Sequence, residues 1–149
     1  MGLARVAVVN SPLGDKLVLR SMHGHEELGR AFLYELELVS SDPDIDFSAV
    51  LGKTMTVGLE RPDGTTREFT GHVTEFALAG GAGRNVLYRA TLRPWLELLA
   101  QKTNCRIFQQ KTVPEVIKQV FRDAGFSDFE DRLSETYASL DYLVQYRES

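Results

Sequence analysis

The chain contains one cysteine, Cys105. No intrachain disulfide can brace it, and a lone thiol without metal-spaced companions reads as a small core residue rather than a nucleophile. No stretch approaches the ~20 apolar residues that a membrane-spanning helix needs. The first fifteen residues carry one arginine and too short an apolar run for a secretory leader. Val6 stands where a myristoylation pattern would need serine or threonine. Positive charge is not in excess: 17 Lys and Arg stand against 21 Asp and Glu, a net charge of −4. That argues against nucleic acid as the main partner, because phosphate binding needs a basic face. Long runs of like charge are also missing, so no charged disordered tail is expected. The simple expectation is synthesis in the cytoplasm without Sec export.

What is present is alternation. The 149 residues suffice for one ordinary domain or slightly more. Leu3 to Val9 is a first apolar run, ended by the turn cluster Ser11-Pro12-Leu13-Gly14-Asp15. Leu17 to His23 is a second strand, with Leu17, Leu19 and Ser21 on one side and Val18, Arg20 and Met22 on the other. From Phe32 to Ser40, Phe32, Tyr34, Leu36 and Leu38 share a face. Glu35 and Glu37 lie opposite, beside Leu33 and Val39, the half-buried antiparallel pattern. Asp46 caps a short helix from Phe47 to Leu51, closed by Gly52. Met55, Val57 and Leu59 mark a further strand, and Pro62-Asp63-Gly64-Thr65 a hairpin turn. In the long strand Thr66 to Leu78, Phe69, Gly71, Val73 and Glu75 alternate with Thr70, His72, Thr74 and Phe76. Gly71 at mid-strand predicts a bulge or bend of the kind that closes a barrel. Gly80-Gly81-Ala82-Gly83 reads as a flexible loop. Asn85 to Arg93 returns as a strand with Val86, Tyr88, Ala90 and Leu92 inward.

Pro94 suits a helix start, where its missing N–H is not needed. Trp95, Leu98 and Leu99 form a short apolar face. Past Gln101 the character changes to α+β. Arg106-Ile107-Phe108 is extended. Thr112-Val113-Pro114-Glu115 is a capping box. Val113, Val116, Ile117, Val120, Phe121 and Ala124 make a helical stripe that Gly125 ends. Phe129 to Leu133 and Leu143 to Tyr146 are strand candidates.

Chemistry-bearing patterns are weak. His23-Gly24-His25-Glu26-Glu27 opens like a zinc-protease helix, but Gly29 occupies the position of the second ligand. His23 and His25 share a side of an extended chain; a third and a fourth ligand are not evident, so a polar strand end is the reading preferred over a metal site. His72 reads as a packed or surface imidazole. No G-x-S-x-G elbow, Walker loop, C-x-x-C pair or EF-hand loop occurs, and the glycines at 80, 81 and 83 miss the dinucleotide spacing. Glu35 and Glu37 lie about 7 Å apart on one strand face, judged from strand rise. Strand faces commonly carry such charges to block edge pairing. No catalytic, cofactor-binding or metal-binding residue is therefore assigned. Strand faces that mix Leu33 and Val39 with Glu35 and Glu37 fit a surface buried against neighbours in an assembly.

An ordered set of motifs carries a resemblance. It begins with Gly24-x-Glu26-x-Leu28-x-x-x-Phe32-x-Tyr34-Glu35-Leu36-x-Leu38 and continues through Leu51-Gly52-Lys53, Asp63-Gly64 and Phe69-x-Gly71-x-Val73-Thr74. Gly83-Arg84, Tyr88-Arg89, Leu92-Arg93-Pro94-Trp95-Leu96 and Arg106-Ile107-Phe108-Gln109 follow. Val113-Pro114-Glu115-x-Ile117, Gly125-Phe126-x-Asp128-Phe129 and Val144-Gln145-Tyr146-Arg147-Glu148-Ser149 complete it. From about Val18 to Ser149 the chain resembles the opening region of the VgrG spike proteins of bacterial type VI secretion, with Gly29 where that family often has serine. The resemblance implies a homotrimer whose N-terminal half is similar to the hub of contractile phage tails. Two small barrels per subunit would form a pseudo-sixfold ring that adapts a threefold spike to the sixfold tube of Hcp rings. A β-helical needle, often with a PAAR tip or a toxin domain, would follow. Because the chain ends within a motif, LVQYRES, it is expected to be a piece of a longer protein.

The expected fold is therefore mainly β with α+β. Residues 1–100 would form a small hub-type antiparallel β-barrel, and 101–149 the beginning of an α+β subdomain. The resemblance implies a non-enzymatic, structural part of a contractile injection machine, without cofactor, metal or membrane span. It would assemble in the bacterial cytoplasm and leave through the type VI machinery without a signal peptide. A hub of a phage tail or extracellular injection system is the alternative within that class. A monomeric ligand-binding β-barrel, whose sign would be an open interior, is the alternative outside it.

Overall fold

The computed structural model of the chain describes residues 6–149, so the beginning of the apolar run from Leu3, and the residues tested for a lipidation pattern before Val6, lie outside the described residues. The chain divides into two compact units, Met1–Trp95 and Leu96–Ser149.

The first unit is one antiparallel sheet of six strands: β1 (Ala7–Asn10), β2 (Val18–His25), β3 (Leu33–Ser40), β4 (Thr54–Glu60), β5 (Thr66–Ala82) and β6 (Asn85–Arg93). Their order is β1-β4-β5-β6-β3-β2. The sheet curls into a half-barrel around the alternating apolar positions of its strands. Tyr34, Leu36 and Leu38 of β3, Met55 and Val57 of β4, Val73 of β5 and Tyr88, Ala90 and Leu92 of β6 are all buried. The expected barrel is thus a curled sheet whose edge strands, β1 and β2, approach each other without forming a ladder among the described residues. Its interior is filled by side chains. Phe76 stacks on Tyr88 at 5.2 Å, Phe47 meets Phe76 edge-on, and the Tyr88 hydroxyl donates to the carbonyl of Asp42 at 2.9 Å. A buried phenol needs such an acceptor. A filled interior removes the sign of a ligand-binding barrel.

Three register shifts make the curl, and two of them reverse faces that strict alternation assigns. In β2 the shift falls between Leu19 and Ser21, so Leu19 opposes Leu38 while Met22 opposes Leu36. Met22 packs against the core with Leu19, where alternation placed Ser21. In β5 a shift between Val73 and Glu75 turns Phe76 inward, 7% exposed, and Glu75 outward. An inserted residue moves every later side chain to the other face. The bulge expected at Gly71 falls instead at Thr74, three residues later. Gly71 serves close packing instead. A Cβ there would lie 3.0 Å from Leu92 Cβ, 3.1 Å from Phe32 Cε2 and 3.2 Å from the Arg93 carbonyl.

Two loop expectations change. Gly80, Gly81 and Ala82 are not a loop: they continue β5, opposite Leu87, Val86 and Asn85. A third shift between Leu78 and Gly80, with Gly80 at φ +132°, lets the strand run on to a two-residue turn at Gly83 and Arg84. The short helix capped by Asp46 is a single 3-10 turn, Phe47–Ala49, with the Asp46 carboxylate accepting from the Ser48 N–H at 2.9 Å. The Asp63-Gly64 turn forms as expected, with Gly64 at φ +81° and the Thr65 N–H donating to the Asp63 carboxylate.

After α1 (Trp95–Leu99), in which Trp95 is only half-buried, the second unit holds β7 (Asn104–Lys111), α2 (Val113–Asp123) and β8 (Leu140–Glu148). β7 and β8 form an antiparallel two-stranded ribbon. The capping box forms in full: Thr112 Oγ1 accepts from the Glu115 N–H, and the Glu115 carboxylate accepts from the Thr112 N–H at 2.8 Å. Phe129 to Leu133 is not a strand. Phe129 packs edge-on against Phe121 at 5.2 Å, and the Asp131 carboxylate takes the Leu133 N–H that a ladder would need. Cys105 is exposed, not a core residue, because it falls on the outer side of the ribbon.

Gly71→Ala is expected to cost about 1–3 kcal/mol, the range for overfilling a packed site, read as a lower urea midpoint; an unchanged midpoint would show that Phe32 gives way freely. Thr112→Ala is expected to cost about 1 kcal/mol through the lost cap, measured by circular dichroism as earlier fraying of α2.

Candidate functional site

The histidines of the one site-like motif do not converge on a metal centre. His23 lies opposite Glu35 on β3 and His25 opposite Leu33. His25 Nε2 faces a Glu27 oxygen at 3.6 Å, and Glu27 also faces Arg30 Nε at 3.6 Å. Among the described residues no group of three or more His, Cys, Asp or Glu side chains is placed to hold a metal ion. His72 Nδ1 lies 3.3 Å from the Gly52 carbonyl.

The outer face of the sheet is instead a polar lattice. Register places Glu75, Thr91, Glu35 and His23 in one row across β5, β6, β3 and β2, and Ala77, Arg89, Glu37 and Ser21 in the next. A shallow cleft of about 450 Å³ follows these rows. Glu37 is engaged: Ser21 Oγ donates to it at 3.2 Å and Arg89 lies 3.5 Å away. Glu75 joins this face only because of the bulge before it, and strict alternation missed it. The carboxylates are spread over this face, and one of them, Glu37, is tied to an arginine and a serine.

At the end of the sheet, Tyr34 donates its hydroxyl to Glu26 Oε1 at 2.6 Å, and Arg67 donates to Glu26 Oε2 at 3.0 Å. The Arg67 guanidinium lies 4.5 Å above the Phe69 ring, which meets Tyr34 edge-on at 5.6 Å. Burial first, then the hydrogen bond and negative charge of Glu26, push the Tyr34 phenol up to about 12, against the opposing effect of Arg67.

The second unit shows uncovered apolar surface. On one face of the ribbon Ile107 opposes Val144 and Cys105 opposes Tyr146, with Tyr142 alongside. Ile107, Tyr142, Val144 and Tyr146 are all more than half exposed. The stripe of α2 is half covered: Val113 and Ile117 stand open, and no residue of the helix is fully buried. A groove of about 660 Å³ within this unit is lined by Leu96, Leu99, Val116, Val120 and Phe121, with Arg106 paired to Asp123 at 3.2 Å. Exposed apolar faces of this extent mark interaction surfaces.

Residues 25–149 match the family model described as phage tail baseplate hub (GPD). The chain is 53% identical over 146 residues to the type VI secretion system spike protein VgrG1c of Pseudomonas aeruginosa, covering 97% of this chain and 20% of that protein. It is 51% identical to VgrG1a of the same organism, over 100% of this chain and 23% of that protein. It is 30% identical to the actin cross-linking toxin VgrG1 of Vibrio cholerae, over 91% of this chain and 13% of that protein. The chain thus spans about a fifth or less of the length of these relatives. Its fold is similar to that of the E. coli c3393 protein, described as a component of the type VI secretion system with structural similarity to T4 bacteriophage tail proteins gp27 and gp5. The TM-score is 0.75 at 22% identity, over 94% of this chain and 39% of that one.

Raising the pH is expected to weaken the first unit between about pH 10 and 12. The unfolded phenol releases its proton near 10, while the folded Tyr34 keeps it to about 12. Above pH 10 the unfolded state therefore binds fewer protons, and stability falls as pH rises. Urea unfolding across that range should show the loss, and Tyr34→Phe should reduce it.

Proposed function

The chain belongs to the phage tail baseplate hub (GPD) family, and on that premise we propose that it is the N-terminal hub part of a type VI secretion spike. Its role is mechanical. A curled sheet with a filled interior presents a shaped, polar outer face, and no bond is made or broken. Three copies of the full-length protein would assemble around one axis, a closed arrangement in which each subunit offers the same surfaces. Residues 1–100 would form the hub-type barrel that meets the Hcp ring, and 101–149 the beginning of an α+β subdomain. Tip or effector contacts, such as a PAAR protein, would belong to later regions. Assembly would occur in the bacterial cytoplasm, with export by the injection machine itself. No helix among the described residues is long and apolar enough to cross a membrane.

The observation that carries this reading is the continuity of the match: the family model runs over residues 25–149, and identity to the Pseudomonas spike proteins exceeds one half over nearly the whole chain. The family's description as a phage tail hub supports a second reading, a hub of a phage tail or extracellular injection system. Both share the mechanical role and differ in the tube they meet.

The full-length gene product is expected to run at three times its subunit mass in native mass spectrometry and to co-sediment with Hcp rings, and deletion of residues 1–100 should abolish the ring contact. A monomer that leaves the rings in the supernatant would overturn the proposal. A trimer that binds a phage-type tube but not Hcp would select the second reading.

A further inference from the structure

We propose that residues 26–32, between β2 and β3, form a strap that closes the end of the curled sheet and opens as a local unit, held by the contact between the Glu26 carboxylate and the Tyr34 hydroxyl. The strap has two anchors. At its far end Phe32 stacks on Tyr34 at 4.6 Å with the rings 15° from parallel, seated over Gly71, where even a Cβ would crowd its ring. At its near end Glu26 joins two strands: Tyr34 of β3 at 2.6 Å and Arg67 of β5 at 3.0 Å. Between the anchors the chain makes a turn, with Gly29 at φ +79° and the Arg30 N–H donating to the Glu27 carbonyl at 3.3 Å; the Glu27 carboxylate faces His25 and Arg30 at 3.6 Å, in pairs too exposed to hold the segment strongly. Leu28, in that turn, is fully exposed, so no apolar burial holds the middle.

The two contacts of Glu26 are unequal. The ion pair with Arg67 is about half exposed on both sides, and such pairs contribute little. Tyr34 is 5% exposed, and a hydrogen bond from a buried phenol to a carboxylate is among the strong ones. The phenol is therefore the latch and the guanidinium an accessory. Release uncovers the aromatic end formed by Phe32, Tyr34 and Phe69 while the ladders of β3, β5 and β6 stay intact, the behaviour of a low-stability segment on a stable sheet.

Limited trypsin digestion of the 149-residue chain tests this. The readout is the rate of cleavage after Arg30, in the strap, divided by that after Arg84, in the β5–β6 turn. Tyr34→Phe is expected to raise the ratio about tenfold, the factor that a hydrogen bond to a charged group carries. Glu26→Ala should raise it at least as much, and the double variant no further, because both remove one contact. Arg67→Lys should change it less than threefold. A ratio unaltered by Tyr34→Phe, additive effects in the double variant, or a larger effect from Arg67→Lys would each overturn the proposal. Because Tyr34→Phe removes a single oxygen, a fall in the global unfolding midpoint large enough to raise both cleavage rates together would also overturn it.

Discussion

A sheet can hide only one of its faces by packing inward, and six strands hide it by curling. Here the curl depends on single inserted residues at Arg20, Thr74 and Ala79, where the ladders shift register. Each insertion bends its strand and exchanges inside for outside beyond it. Met22 and Phe76 reach the core by this means, and Glu75 leaves it. Without those shifts β5 would bring a carboxylate to the interior and a phenylalanine to water, a reversal of several kcal/mol by the usual cost of burying charge and exposing an aromatic ring.

The same geometry decides what the outer wall offers. Rows of side chains across four strands set Glu75, Thr91, Glu35 and His23 beside Ala77, Arg89, Glu37 and Ser21. Opposite charges sit within reach of each other there, as Arg89 and Glu37 do at 3.5 Å. A wall of mixed polarity, with its backbone tied into ladders, keeps its shape and presents a defined pattern to a neighbour. That is the property the proposed hub role needs.

The second unit has a different balance. Phe108 is its one buried apolar residue among those described, and a ribbon of two strands is marginal by itself. Its order comes from local devices: the capping box of α2, the Asp131 turn and the Phe121–Phe129 contact. The exposed face of Ile107, Tyr142, Val144 and Tyr146 has the aromatic, uncharged composition that interface cores favour. The first unit thus has a filled interior, whereas the second leaves apolar faces open.

Much of this was legible from residue order. Alternation located β3, β4 and β6, Asp63-Gly64 located the turn between β4 and β5, Thr112 and Glu115 located the start of α2, and an ordered set of short motifs located the family. These features are local: each depends on the conformational preference of a few neighbouring residues or on the period of a single strand. The bulges in β2 and β5, the extension of β5 through Gly80 and Gly81, the exposure of Cys105 and the meeting of Glu26 with Arg67 were not legible, because each is settled by a partner strand distant in sequence. Residue order alone determined that the chain makes strands with one apolar side and lacks the spacings of the common catalytic motifs. Tertiary structure alone decided which side chains lie inside after each inserted residue, since a one-residue shift of register leaves the alternation readable and reverses its meaning.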